Sequence, residues 1–192
     1  MSLFGRKKHI FDYGERNRIV GAPRKCTVVI YGDDNEVAVR GERSTFPCSI
    51  VIGTPDCKIS NCRVEIGAGT TSNGLSISLM ESGSECIIGD DCMFSDGVQI
   101  HCSDTHSIFD EAGNLVNVGR FVRIGKHSWV GQGVTILKNV DLPEGTIVGR
   151  NATVAKVHDL KPFSAIAGNP ARVIKTGVHW KWDRPQWILD AK

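Results

Sequence analysis

The chain has 192 residues, 41% of them hydrophobic and 23% charged, with a net charge of +2. That is enough chain for one domain with a substantial core, and its charge gives no electrostatic case for a nucleic-acid partner. No apolar run approaches the length of a membrane span and no apolar stretch follows Arg6-Lys7-Lys8, so a cleavable leader and a membrane span are not expected and a cytoplasmic location is.

Residues 1–20 form an N-terminal segment. Between Met1 and Lys25, seven bases (Arg6, Lys7, Lys8, Arg16, Arg18, Arg24, Lys25) face two acids (Asp12, Glu15). This is either a solvated face or a patch for an anionic polymer or membrane surface, so any membrane contact is expected to be peripheral. From 21 to about 87, short β-type runs recur: Thr27–Ile30, Glu36–Val39, Ser49–Gly53, Val64–Gly67 and Leu75–Leu79. Their spacing alone also suits an antiparallel sandwich. All seven cysteines lie between Cys26 and Cys102. An odd number in a chain expected to be cytoplasmic predicts no disulfide framework, and several are expected to fill narrow interior positions.

The second half settles the architecture. An aliphatic residue recurs at every sixth position: Ile124, Val130, Ile136, Leu142, Val148, Val154. The same register precedes it in Ile88, Phe94 and Ile100. Period six fits neither a helix nor a plain strand. It fits a chain that turns a corner at every beat, with one aliphatic side chain pointing inward on each side, so that three sides make one coil. Two segments break the beat. Residues 103–121 are polar and turn-prone, the mark of an extruded loop, and such a loop within a compact domain is usually functional. From 161 to 192 the chain carries turn sequences and then Trp180, Trp182 and Trp187, suited to capping the open end of the stack or to stacking on a sugar.

These residues resemble the hexapeptide-repeat acyltransferases over about residues 20–176. The most specific stretches run from Val122 to Val140, from Gly145 to Lys156 and from Ala167 to Lys175. The loop Ser103-Asp-Thr-His106-Ser-Ile-Phe-Asp110 looks like that of capsule and lipopolysaccharide O-acetyltransferases. The resemblance implies an all-β, left-handed parallel β-helix over 21–160. It also implies an acetyl-coenzyme A-dependent O-acetyltransferase acting on a sugar hydroxyl of a surface polysaccharide or its precursor, and a homotrimer with its active sites between subunits. Moving acetyl to an alcohol needs a base and donors for the developing oxyanion. His106 matches the family's catalytic histidine, with Asp104 or Asp110 available to orient it. Trp129 matches a tryptophan beside the pantetheine arm, and counts with His106 and Asp104 in the catalytic set. Gly131, Gly149 and Gly168 would admit the coenzyme to the backbone, or serve as plain turn glycines. Lys156, Arg172 and Lys175 would meet its phosphates. Arg150 stands near the adenine end, where many relatives have a small residue.

A rival use of the histidines is a zinc site like that of γ-class carbonic anhydrases, built on His101 and His106. It lacks its third ligand, because no histidine lies between Lys25 and His101; no metal is expected. Two other functions stay open: acetylation of a small acceptor such as a free sugar, amino sugar or drug, and a non-catalytic β-helix scaffold.

Overall fold

The computed structural model describes residues 9–21, 25–41 and 46–190, apart from the side chains of Trp187, Ile188 and Asp190. In chain order the strands are β1 (Ile10–Asp12), β2 (Arg18–Val20), β3 (Cys26–Ile30), β4 (Glu36–Val39), β5 (Cys48–Ile52), β6 (Arg63–Ile66), β7 (Thr71–Ser72), β8 (Leu75–Leu79), β9 (Glu85–Ile88) and β10 (Met93–Phe94). There follow β11 (Val98–His101), β12 (Phe121–Ile124), β13 (Trp129–Val130), β14 (Thr135–Ile136), β15 (Val140–Leu142), β16 (Ile147–Val148), β17 (Thr153–Val154), β18 (Ser164–Gly168) and β19 (Ala171–Thr176), with a short helix α1 (Pro185–Asp190).

The strands form three sheets that the chain visits in turn. The first face is β1-β3-β5-β8-β11-β14-β17, the second β2-β4-β6-β9-β12-β15 and the third β7-β10-β13-β16-β18-β19. Every pairing among these strands is parallel except the closing β18–β19 hairpin. The six-residue beat is the reason. Ile124, Val130, Ile136, Leu142, Val148 and Val154 fall on the second, third and first faces in rotation, and none is more than 2% exposed. Stacked rungs turn these into columns: on the first face Val28, Ile50, Ile77, Ile100, Ile136 and Val154 lie in register, each fully buried.

The corners are made by residues that tolerate a left-handed backbone. At the corner between the second and third faces these are Asp91 (φ 55°), His127 (φ 52°) and Gly145 (φ 68°). Beneath them, small hydroxyl residues satisfy the bent chain: Ser128 Oγ donates to Gly125 O at 2.7 Å and Thr146 Oγ1 to Pro143 O at 2.6 Å.

The worn N-terminal half is coil, not sandwich. Strands β1 and β2 already pair with β3 and β4, so the stack begins within the segment set apart as 1–20, and β18 carries it past residue 160. Outward residues of the second face form a ladder of alternating charge, Arg18, Glu36, Arg63 and Glu85, in one register row. Arg18 pairs with Glu36 at 3.0 Å and Arg16 with Asp34 at 2.6 Å, so two bases of the expected patch are already matched within the chain. Such exposed pairs contribute about 0–1 kcal/mol each. Arg6, Lys7, Lys8 and Arg24 lie outside the described residues. Six of the seven cysteines are buried, as fillers of a narrow interior, and all seven are free thiols.

Candidate active site

The loop 103–121 leaves the stack between β11 and β12. Its two ends are held by one carboxylate on the neighbouring rung: Glu81 accepts from Ser103 Oγ at 2.6 Å and from the Gly119 amide at 2.8 Å. Ser103 Oγ in turn accepts from the Thr105 amide at 2.9 Å. Beyond this base the loop closes into a small hairpin, with Phe109 bridged to Leu115 and Val116 N donating to Ile108 O at 2.9 Å. Ile108, Phe109, Leu115 and Val116 are all exposed, 47–61%. His106 lies at the root of this arm and lines a cleft with Met80, Glu81, Ser103, Leu115 and Asn117.

The expected carboxylate partners of His106 are otherwise engaged. Asp104 accepts from Lys138 Nζ and from Asn117 Nδ2, the latter at 2.9 Å, and these two donors hold its carboxyl below the usual carboxylate range. Asp110 accepts from the Asn114 side chain and from the Asn114 and Ala112 amides, which fixes the hairpin tip and also lowers its carboxyl. Among the described residues, neither carboxylate bonds to the imidazole. Asp104 bears on His106 through the backbone: its carbonyl accepts from the His106 amide at 2.8 Å, while Asn117 Nδ2 donates to His106 O at 2.8 Å. Of the rival zinc ligands, His101 has Nδ1 3.1 Å from Ser78 Oγ and Nε2 3.2 Å from Gln99 Oε1. Among the described residues no group of three His, Cys, Asp or Glu side chains is gathered that could hold a metal ion.

Trp129 stands on the third face. The register there sets Met93, Trp129, Ile147, Ala165 and Lys175 in one outward row. An apolar stripe thus runs along the coil axis past Trp129 and ends at an ammonium. Lys156 and Arg172 line one depression with His158 and Lys161 beside the end of that row. Arg150 is held by Gln132, Nη2 to Oε1 at 2.6 Å. The glycines answer first to the stack. A Cβ on Gly131 would lie 2.8 Å from Val148 O, and one on Gly149 2.9 Å from the Ala167 Cβ, so the next rung already claims that space. Gly168 takes φ +100° at the β18–β19 turn. His106 and Trp129 leave from different faces, and no hydrogen bond, ion pair or ring contact joins them among the described residues.

A second histidine proves to be built into the structure. His127 Nδ1 lies 2.6 Å from Asp91 Oδ2, Nε2 lies 3.2 Å from Trp180 O, and the ring stacks on Trp180 at 4.5 Å. Both nitrogens thus face oxygens of this corner, and one ring face is covered by Trp180. The six-residue ruler makes the pairing legible, since Asp91 and His127 each stand three places after an inward aliphatic, Ile88 and Ile124. Glu81, Lys138 and Asn117 have no such mark, because the loop they organise lies off the beat.

No family model matches the chain. In sequence it is 32% identical over 132 residues to a polysialic acid O-acetyltransferase of Escherichia coli O1:K1, covering 68% of this chain and 42% of that protein. It is 42% identical over 80 residues to a polysialic acid O-acetyltransferase of Neisseria meningitidis, covering 41% of this chain and 37% of the relative. The matches thus span about two fifths of these relatives' own length. Among solved structures, the polySia-specific acetyltransferase NeuO superposes with a TM-score of 0.71 at 25% identity, over 95% of this chain and 86% of that one. The polysialic acid O-acetyltransferase OatWY gives 0.58 at 24% over 92% and 93%, and a hexapeptide-repeat acetyltransferase of Vibrio cholerae 0.51 at 17% over 89% and 76%; these two speak to the fold alone. The coil is accordingly the left-handed parallel β-helix of such enzymes. In sequence the chain is similar to polysialic acid O-acetyltransferases, and in fold to the hexapeptide-repeat acetyltransferases.

Proposed function

We propose that the chain is an O-acetyltransferase that moves an acetyl group from acetyl-coenzyme A to a hydroxyl of a surface polysaccharide or its precursor. The observation that carries this reading is the pairing of two features on one coil. One is an arm that presents His106 in an open cleft. The other is an apolar row running from Trp129 to Lys175, beside a depression lined by Lys156 and Arg172. The similarity to polysialic acid O-acetyltransferases points the same way.

In this reading His106 removes the proton as the sugar oxygen attacks the thioester carbon. The tetrahedral oxyanion collapses, the C–S bond breaks, and the coenzyme thiolate takes the proton back from the imidazolium. Transfer is direct, with no acyl-enzyme. The pantetheine arm lies along the Met93–Ile147 stripe against Trp129, and the phosphates meet Lys156, Arg172 and Lys175. One chain leaves His106 and Trp129 on different faces and four large apolar side chains of the arm exposed. A homotrimer answers both, with the arm of one subunit set against the third face of its neighbour. Because the donor is an intracellular metabolite, the reaction belongs in the cytoplasm.

His106→Ala is expected to lower acetyl transfer by about two to four orders of magnitude without lowering coenzyme A binding. Coenzyme A at 100 times its Kd is expected to stabilise the wild type by about 2.7 kcal/mol in thermal unfolding. Wild-type turnover in the variant overturns the base assignment, and absence of any coenzyme A shift favours a scaffold. Activity on monosaccharides equal to that on oligosaccharides favours a small acceptor.

A further inference from the structure

The tail beyond β19 does not stop at the open end of the coil. It turns back along the corner between the second and third faces. Val178 N donates to Phe163 O at 2.9 Å, and the His179 ring lies 4.5 Å from that of Phe163. Trp180 then reaches His127 and Trp182 reaches Asp91, the residues that make this same corner on earlier rungs. Val178, Trp180 and Trp182 thus meet corner residues on the rungs of β18, β13 and β10 in turn. A plain cap would cover the last rung, whereas these tryptophans lie alongside the coil, rungs away from its end.

Trp180 is the centre of the arrangement and is only 5% exposed. Its Nε1 donates to His127 O at 2.7 Å, its face lies on the His127 ring at 4.5 Å and 10°, and Trp182 meets it edge-on at 5.1 Å. His127 is fixed in turn by Asp91, which also accepts from Trp182 Nε1 at 3.1 Å. Each ring nitrogen of this clasp lies within hydrogen-bond distance of an oxygen inside it. Its one outward consequence is Trp129, whose ring centroid lies 6.4 Å from that of Trp180 at a tilt of 48°. Trp129 is 36% exposed on the apolar row, with the Trp180 ring beside it.

We propose that Trp180, held by His127 and Asp91, is a positioning residue for Trp129, so that the C-terminal tail forms the back wall of the acetyl-donor site. The inference rests on the donor reading of the third face. A tryptophan on so short a strand as β13 has neighbours above and below, Met93 and Ile147, but among the described residues no ring of its own coil limits its swing toward the corner. The tail supplies that limit from the far end of the chain. It presets the ring in the orientation that a thioester arm meets, and so lowers the ordering cost of donor binding.

The test is steady-state kinetics on the full chain with acetyl-coenzyme A and an oligosaccharide acceptor, for Trp129→Ala, Trp180→Ala, His127→Asn and the Trp129/Trp180 double variant. Trp180→Ala is expected to raise the acetyl-coenzyme A KM roughly three- to tenfold, the size of one aromatic contact, with the acceptor KM unchanged. His127→Asn keeps a residue that accepts the corner's positive φ but removes the stacking partner, and is expected to raise the donor KM about threefold by the same contact. This variant decides the matter if Trp180→Ala does not fold. The double variant is expected to be no worse than Trp129→Ala alone, because Trp180 acts only through that ring. Multiplying effects, or a donor KM unmoved by both Trp180→Ala and His127→Asn, overturn the proposal while Trp129→Ala still weakens donor binding. A Trp129→Ala variant with unchanged donor KM overturns the donor reading and the proposal together.

Discussion

Glu81 offers the sharpest test of how the coil holds its arm. Its two oxygens accept one bond at each end of the loop, from Ser103 Oγ at 2.6 Å and the Gly119 amide at 2.8 Å. Bonds to a charged acceptor contribute about 1.5–3 kcal/mol each. Glu81→Ala removes both, but water reaches this half-buried position and replaces part of the loss, leaving about 2–3 kcal/mol. Glu81→Gln keeps the shape. Its carbonyl serves Gly119 and its amide donates to Ser103, so only the charge is lost, for about 1–1.5 kcal/mol. Hydrogen exchange reads these figures directly. At about 1.4 kcal/mol per decade, protection of the Gly119 amide is expected to fall about tenfold in Glu81→Gln and about thirty- to a hundredfold in Glu81→Ala. The Gly125 amide, bonded to Leu142 O at 2.7 Å within the coil, provides the control and is expected to stay unchanged. Turnover is expected to fall with the donor KM within about twofold, since the third face is untouched. Equal losses at Gly119 and Gly125 would mean that Glu81 supports the whole coil, and no loss at either would mean that the two bonds are idle; each result refutes the reasoning.

Two further outcomes follow from charge and burial. Lys138 and Asn117 depress the Asp104 carboxyl, so their contacts add stability above the ordinary carboxylate pKa and lose it as pH falls through the lowered value. Thermal unfolding of wild type and Asp104→Asn, followed from neutral pH to about pH 3, is expected to converge at the acid end; parallel curves would remove the pair from the stability of the fold. Burial pushes the Cys92 thiol up to about 12, and Cys57 is the one exposed cysteine. A thiol reagent at mild alkaline pH is expected to modify Cys57 quickly in the native chain and the other six only on unfolding; a second fast site would refute the burial assignment.

The architecture is legible because a coil is a local rule repeated. Each inward aliphatic, from Ile124 to Val154, needs only its own six-residue side to be recognised, and the rung-to-rung pairing follows from counting three sides. Residues before Ile88 keep the same rule with worn punctuation. The 54–59 turn stands between β5 and β6, and among the described residues no third-face strand lies between β4 and β5, which is why that region also reads as a sandwich. His106 stands out because it breaks the rule, on an arm whose polar residues have no place in the core. What surrounds His106 is not legible in the same way. Asp104 and Asp110 are equal candidates in the sequence to orient the imidazole, whereas the Asp104 carboxylate is bonded to Lys138 and that of Asp110 to Asn114.

The amino-acid sequence by itself determined the coil, its period and the place of the arm, since these are set by residue type at fixed spacing. Only the tertiary structure decided which side chains lie across a corner. Glu81 closes the arm, and Trp180 lies against His127 and Trp129, through contacts between distant parts of the chain whose positions no periodicity relates. The physical reason is that inward residues are chosen by one shared core, whereas an outward residue is placed by whichever segment the chain later lays beside it.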